Sequence, residues 1–354
     1  MDKRMEAQYI YRILRVLLDS PEFSDYLYHD SEFFYPPPTV NKLCSGPDNV
    51  TQEFILGTSE LEEASYQEEE EIRTGLECVI AWMGDQLTVE QLRGLWKYRH
   101  EDFDSFDRMD YMIPVFGWFH LVMAFENSLH KQYLGTSVGI GGMQQAFDVL
   151  KRKGLVLQST KGPFWHHLDE VIHHISEAHF RSSWLVVGGV KSMAELKKKS
   201  PQQLCSLATK LIRGGNPKYT IDILELLQGL HREWPDDVYK YICEWCWVMN
   251  QAGKDNSWLA FDLGQEENIA DIKVNYHSMG PGVKMAYMHK ISPAIPTLRA
   301  VQRHVEKQFK TVSRGAQHGA PDKERDVRTI ATQYTDSELH LQIAGRKIKL
   351  VQII

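Results

Sequence analysis

Asp85 is the residue around which chemistry is most readily built. It follows a continuous apolar run, Cys78 to Met83, which fits a strand buried on both faces that delivers the carboxylate at its carboxyl end. Open α/β sheets bind their ligands at that end. Oxygen ligands suit Mg2+ or Mn2+, and two-metal phosphoryl chemistry needs several carboxylates around ions about 3.5–4 Å apart. Partners for Asp85 are Asp262, Glu266 and Glu267 in a late acidic segment, with Asp107 and Asp110 as weaker options. If Asp85 and Glu266 share ions, their carboxyl groups must approach within about 8 Å. The plainer alternative is that Asp85 forms a turn and caps the helix after it.

His120 stands where a second apolar run, Met112 to Phe119, passes into a helix. An imidazole there either meets a metal or a phosphate, or is a hydrogen-bonded core residue. His166, Glu170, His173 and Glu177 share one helix face, and Glu170 with His173 makes a single Glu-x-x-His. Di-iron bundles use that motif in pairs, and there is no second copy, so a polar solvent-facing helix is the simpler reading. Cys243 and Cys246 form one C-x-x-C without the further ligands a structural zinc needs. No nucleophile motif accompanies the serines or cysteines.

The elements that must position these groups follow from spacing and punctuation. Ile10, Ile13, Leu14, Leu17 and Leu18 make a helical stripe that ends near Ser20-Pro21 and needs a partner surface. Thr88 followed by Gln91 has the pattern of a capping box, which starts a helix running to about His100. Leu121, Phe125 and Leu129 continue the helix of His120, and Gly135 ends it. Helices are expected over Gln144–Lys153, Phe164–Trp184, Ser192–Ile212, Tyr219–His231, Asp236–Met249 and Thr297–Val312. The text after Arg314 reads as disordered, and the closing GRKIKLVQII as a stray strand or an exposed tail.

Charge is distributed unevenly about a net of −7. Between Glu53 and Glu77 stand nine glutamates and the single Arg73, a block that faces solvent as a rule. The opposite balance holds from Lys284 to Arg314, where Lys284, Lys290, Arg299, Arg303, Lys307, Lys310 and Arg314 face only Glu306. With Tyr287, Leu298 and Phe309 between them, these cations suit a nucleic-acid backbone, although an amphipathic helix packed on a core gives the same text. Five scattered cysteines make no disulfide framework. No apolar stretch reaches the roughly 20 residues of a membrane helix, and the first residues lack a signal-peptide pattern. An intracellular protein, nuclear or cytoplasmic, with no membrane partner is expected.

GDQLTVEQLRGL and DRMDYMIPVFGWFHLVMAFENSLHKQYLG resemble a large fungal family catalogued as domain of unknown function 6589, as do RGGNPKYTIDILELLQGLHREWP, DLGQEENIADIK and ISPAIPTLRAVQRHVEKQF. The resemblance spans about Leu76 to Arg314 and implies no established activity. More distantly, the order strand, Asp85, helix, strand, His120, helical insertion and acidic motif is similar to cut-and-paste DNA transposases with a ribonuclease-H-like core. That similarity implies Asp85 as the second metal-binding aspartate, Glu266 as the glutamate and His120 as the histidine after the second aspartate.

Three departures count against activity. No Tyr-Asp-Asn precedes Asp85 to supply a first aspartate, Glu267 stands where a histidine is common, and the chain runs directly from Lys210 to Gly214 where relatives have a longer helical connection. The resemblance then implies a degenerate, inactive copy.

The expected fold is α/β and helix-rich: a partial ribonuclease-H-like core over 76–275, interrupted by an all-helical insertion at about 136–257. An N-terminal helix and acidic arm (1–75) precede it; a basic helical segment (276–314) and a flexible tail (315–354) follow. The expected function is a transposase-derived nucleic-acid-binding domain with a degenerate Mg2+- or Mn2+-dependent DNA strand-transfer or nuclease site at Asp85, Asp262 and Glu266. The competing expectation is a non-catalytic helical protein-interaction module.

Overall fold

The computed structural model describes residues 3–38, 43–52, 80–152, 154–156, 165–214, 232, 235–255, 257–278, 287, 290, 292–309 and 322–341. Among them the helices are α1 (Lys3–Leu18), α2 (Gln86–Arg99), α3 (Trp118–Tyr133), α4 (Met143–Val149), α5 (Trp165–Gly188) and α6 (Met193–Leu196). They continue with α7 (Pro201–Gly214), α8 (Asp236–Tyr241), α9 (Phe261–Ser278), α10 (Ile295–Phe309) and α11 (Lys323–Asp336). The strands are β1 (Ile80–Gly84), β2 (Met112–Phe116), β3 (Val248–Met249) and β4 (Leu259–Ala260). The protein is thus helix-rich with small sheets.

The chain divides into two compact units, the first comprising Met1–Lys42, Ala124–Glu233 and Gly319–Ile354, the second Leu43–Met123 and Trp234–His318.

The first unit is helical where it is described. The stripe on α1 buries Ile13, Leu14, Leu17 and Leu18 with Trp184 of α5 and Leu204, Leu207 and Ala208 of α7. A second core joins Met143, Ala146 and Phe147 of α4, Leu168, Val171, Ile172 and Ile175 of α5, and Val327, Ile330 and Tyr334 of α11. Asp322 caps α11, its carboxylate accepting from the Arg325 N–H at 3.1 Å. A flexible tail over 315–354 therefore does not hold at Lys323–Asp336. Val327, Ile330 and Tyr334, spaced three and four apart, are fully buried, and a charged sequence with three apolar positions on one face is enough for a docked helix. The closing GRKIKLVQII lies outside the described residues.

The second unit carries the strands. β1 and β2 are parallel, with Ile80 paired to Met112 and Gly84 to Phe116. Helix α2 crosses between them and buries Leu92 and Leu95 with Met109 and Met112. β1 is half-buried from Ala81 to Gly84 rather than covered on both faces, so its apolar run overstates its burial. β3 and β4 are antiparallel, Val248 against Ala260 and Met249 against Leu259.

Other expectations are corrected locally. Helix α2 begins at Gln86 with Asp85 as its cap, ahead of the Thr88 box. The expected helix over Ser192–Ile212 is broken between α6 and α7, and Pro201 opens the second piece, where its missing N–H costs no hydrogen bond. The expected helix over Asp236–Met249 stops at Tyr241, makes a π-helical turn at Ile242–Cys246 and ends in β3, so the insertion is not wholly helical. The helix expected over Tyr219–His231 and the acidic block from Glu53 to Glu77 lie outside the described residues.

Candidate functional site

The chemistry of the second unit gathers at His120, in the first turn of α3. Asp262, near the start of α9, reaches that turn with both oxygens. Its Oδ1 accepts from the Phe119 N–H at 3.1 Å; its Oδ2 accepts from the His120 N–H at 3.0 Å and from His120 Nδ1 at 3.0 Å. The carboxylate thus satisfies free N–H groups of a helix start while fixing an imidazole. Gly117 makes the approach possible, because a Cβ there would overlap the Asp262 carboxyl. A Cβ at Gly264 would meet only the terminal methyl of Met249, the far end of a flexible side chain that can turn aside.

Fixing Nδ1 leaves His120 Nε2 for other groups. Glu266, one turn after Asp262 on α9, places Oε1 3.8 Å from Nε2. Asp85, at the end of β1, is near enough for its charge to act on the ring. The hydrogen bond to Asp262 is the chief cause that raises the His120 pKa above its ordinary value; burial opposes it, and the charges of Asp262, Glu266 and Asp85 reinforce it. Burial tends to raise Asp262, yet the hydrogen bonds from the His120 ring and from the His120 and Phe119 N–H groups outweigh it, so the carboxyl is held below its ordinary value. An imidazolium among three carboxylates is the arrangement these directions favour.

The donor set fits a two-ion site poorly. Asp262 is 6 % exposed and spends both oxygens on α3. Asp85 Oδ1 accepts from the Thr88 N–H at 2.8 Å, capping α2. Among the described residues no group of three or more His, Cys, Asp or Glu is disposed to hold a metal ion. Asp107 and Asp110 belong to the loop after α2, where Arg108 pairs with Asp110 at 2.9 Å.

The other sequence candidates are dispersed. Glu170 pairs with Arg152 at 3.2 Å, and His173 lies 3.0 Å from the Asp169 carboxylate. Glu177 meets Arg181 at 2.8 Å and Lys323 at 2.7 Å. His166 and His173 are exposed while Glu170 and Glu177 are half-buried in ion pairs, so the face is polar and solvent-facing at its histidines. Burial raises both Cys243 and Cys246, the latter to about 11, which disfavours the thiolate a metal would need. Of the basic residues, Lys290 is exposed, Arg299 is half-buried on α10, and Arg303 and Lys307 lie on α10. Lys284, Lys310 and Arg314 lie outside the described residues.

Two groups are not marked as sites by the sequence patterns. Asp326 on α11 sits 2.7 Å from Arg152 and 3.3 Å from His174 Nδ1; its segment reads as tail, and nothing in the text singles it out. Glu126 lies on the buried side of α3 with Phe119 and His130, at spacings of seven and four, while the apolar residues that mark this helix in the sequence include the exposed Phe125.

A family model described as a family of unknown function, DUF6589, matches residues 1–214 and 211–318. No curated protein and no solved structure matches the chain.

Proposed function

The chain belongs to the family of unknown function DUF6589, and from that premise we propose that its second unit is a transposase-derived nucleic-acid-binding domain whose metal-dependent strand-transfer site has degenerated. The observation that carries this reading is the convergence of Glu266 and Asp85 on His120 while Asp262 is committed to the ring. In an intact two-metal site, divalent ions neutralise the clustered carboxylates and activate the attacking oxygen. Here the raised pKa of His120 favours its charged form beside the acids, and an imidazolium cannot polarise a phosphoryl oxygen and a nucleophile together as two ions do. Binding falls to the cations Lys284, Lys290, Arg299, Arg303, Lys307, Lys310 and Arg314, since phosphate contacts need only charge and reach.

The test is duplex DNA binding by the full chain across a salt series, beside a calorimetric Mn2+ titration of the chain and its Asp85→Ala and Glu266→Ala variants. The expected result is DNA binding that weakens steeply with salt, no nicking, and no saturable Mn2+ binding that depends on either acid. Saturable Mn2+ binding lost in both variants would restore a working metal site, and absence of DNA binding would end the nucleic-acid reading.

A second reading, a helical protein-interaction module, is favoured by one feature of α10. Leu298, Val301 and Val305 form a row at helical spacing and are all exposed. Under that reading DNA binding is absent, and substituting the row with serine leaves the fold intact.

A further inference from the structure

In the first unit, the fold brings together two imidazoles that stand apart from the His120 cluster. His179 lies on α5 and His340 in the turn after α11, 161 residues apart in sequence, and the rings are hydrogen-bonded with His179 Nδ1 and His340 Nε2 3.3 Å apart. Two nitrogens bound to one tetrahedral ion at about 2.0–2.1 Å are separated by about 3.3 Å. We propose that His179 and His340 form a two-imidazole site for a borderline divalent transition ion, of the class of Zn2+, Co2+, Ni2+ or Cu2+.

The surroundings hold both rings in place for this. The Tyr334 ring stacks on His179 with centroids 4.2 Å apart and planes 24° apart, and it meets His340 edge-on at 6.2 Å. Tyr334 is fully buried in the core between α5 and α11, so one side of the site is built on a rigid element. Burial also lowers both imidazole pKa values, and the neutral ring is the form that ligates. The ion competes with the proton of the hydrogen bond between the two rings, and it binds beside the line joining the nitrogens, with the rings turned towards it. Two protein ligands leave two tetrahedral positions to water or to an outside ligand, which separates this site from a closed structural zinc site. Imidazole selects this class of ion over Mg2+ and Ca2+, which prefer oxygen.

The test is a Co2+ titration of the full chain followed by its visible ligand-field absorption, repeated with Zn2+ as competitor. Wild type and the variants His179→Ala, His340→Ala and His173→Ala are compared, each checked by circular dichroism. The expected result is one ion per chain, displaced by Zn2+, lost in the first two variants and unchanged in His173→Ala. Imidazole resonances of the wild-type chain provide a measurement that needs no variant: Zn2+ should shift the signals of His179 and His340 together and saturably. Absence of Co2+ binding, binding that survives in both His179→Ala and His340→Ala, or a Zn2+ titration that leaves these two rings unmoved would overturn the proposal.

Discussion

His120 Nδ1 lies 3.0 Å from Asp262 Oδ2, two residues 142 positions apart in the chain. The same carboxylate accepts the backbone N–H groups of Phe119 and His120, so the start of α3, the orientation of the ring and the position of α9 depend on one buried side chain.

Removing that side chain should therefore cost more than removing the ring. Asp262→Ala leaves the imidazole without its partner and the helix start without an acceptor, and should destabilise the chain by about 3–5 kcal/mol. His120→Ala leaves Asp262 with its two backbone donors, and should cost about 1–2 kcal/mol. Urea unfolding of both variants gives the comparison, and a larger loss for His120→Ala would contradict it.

The pair also fixes a pH window. The folded pKa of His120 is raised above 6.5, so its contribution is complete below that value and is lost as pH rises through the folded pKa. Asp262 is lowered below 3.8, so its contribution is present above that value and is lost as pH falls through the folded pKa. The stability difference between wild type and His120→Ala should be largest between about pH 4 and 6.5 and shrink at alkaline pH. Thermal midpoints across the range measure it; a difference that grows above pH 8 would be the wrong sign.

Gly117→Ala places a methyl where the Asp262 carboxyl sits. Overpacking of this kind costs about 1–3 kcal/mol, and here it should also lower the His120 pKa by displacing its partner. A stability loss with the His120 titration unchanged would mean the strain is absorbed elsewhere.

How much of this was legible from the sequence differs by residue. Asp85, His120, Asp262 and Glu266 all stand out in the text, because a carboxylate after an apolar run and a histidine at a strand-to-helix junction are local patterns. Their roles were not legible: whether Asp262 faces an ion or a helix start depends on a partner 142 residues away. The Asp85 cap was readable as the alternative at that position, and it is what forms. Docking of α11 was hidden because a three-residue apolar face is too short a signal to distinguish a packed helix from disorder, while the core it completes comes from α4 and α5. Likewise, the aromatic text of Asp236 to Met249 has helical spacing throughout, whereas the chain changes to a π-helical turn at Ile242 and then pairs β3 with β4.

Tyr334 tests the docking of α11. Its ring is fully buried, while its hydroxyl has no hydrogen-bond partner among the described residues. Tyr334→Ala should cost about 3–5 kcal/mol by analogy with large aromatic truncations, whereas Tyr334→Phe should be neutral or mildly stabilising because it removes an unpaired buried polar group. A flexible tail would make both substitutions silent in a denaturation experiment.

Glu126 gives a second pH dependence, in the first unit. Burial, and then the hydrogen bond with Asp169, raises its carboxyl from 4.5 to about 8. The folded state prefers the protonated acid, so stability is favoured below pH 4.5 and is lost as pH rises through about 8. Glu126→Gln should flatten this slope and make the variant the more stable chain at pH 8. Parallel stability curves for wild type and variant would contradict the assignment.

In the second unit, the proposed function requires a positive charge on His120, and Asp262, Glu266 and Asp85 all act to raise its pKa. The most direct measurement of that charge is an NMR pH titration of the His120 ring in the wild-type chain and in Asp262→Asn, with and without Mg2+. The predicted result is a pKa above 6.5 that falls in the variant and is unmoved by Mg2+. A ring that titrates at or below 6.5, or whose pKa drops when Mg2+ is added, would contradict it.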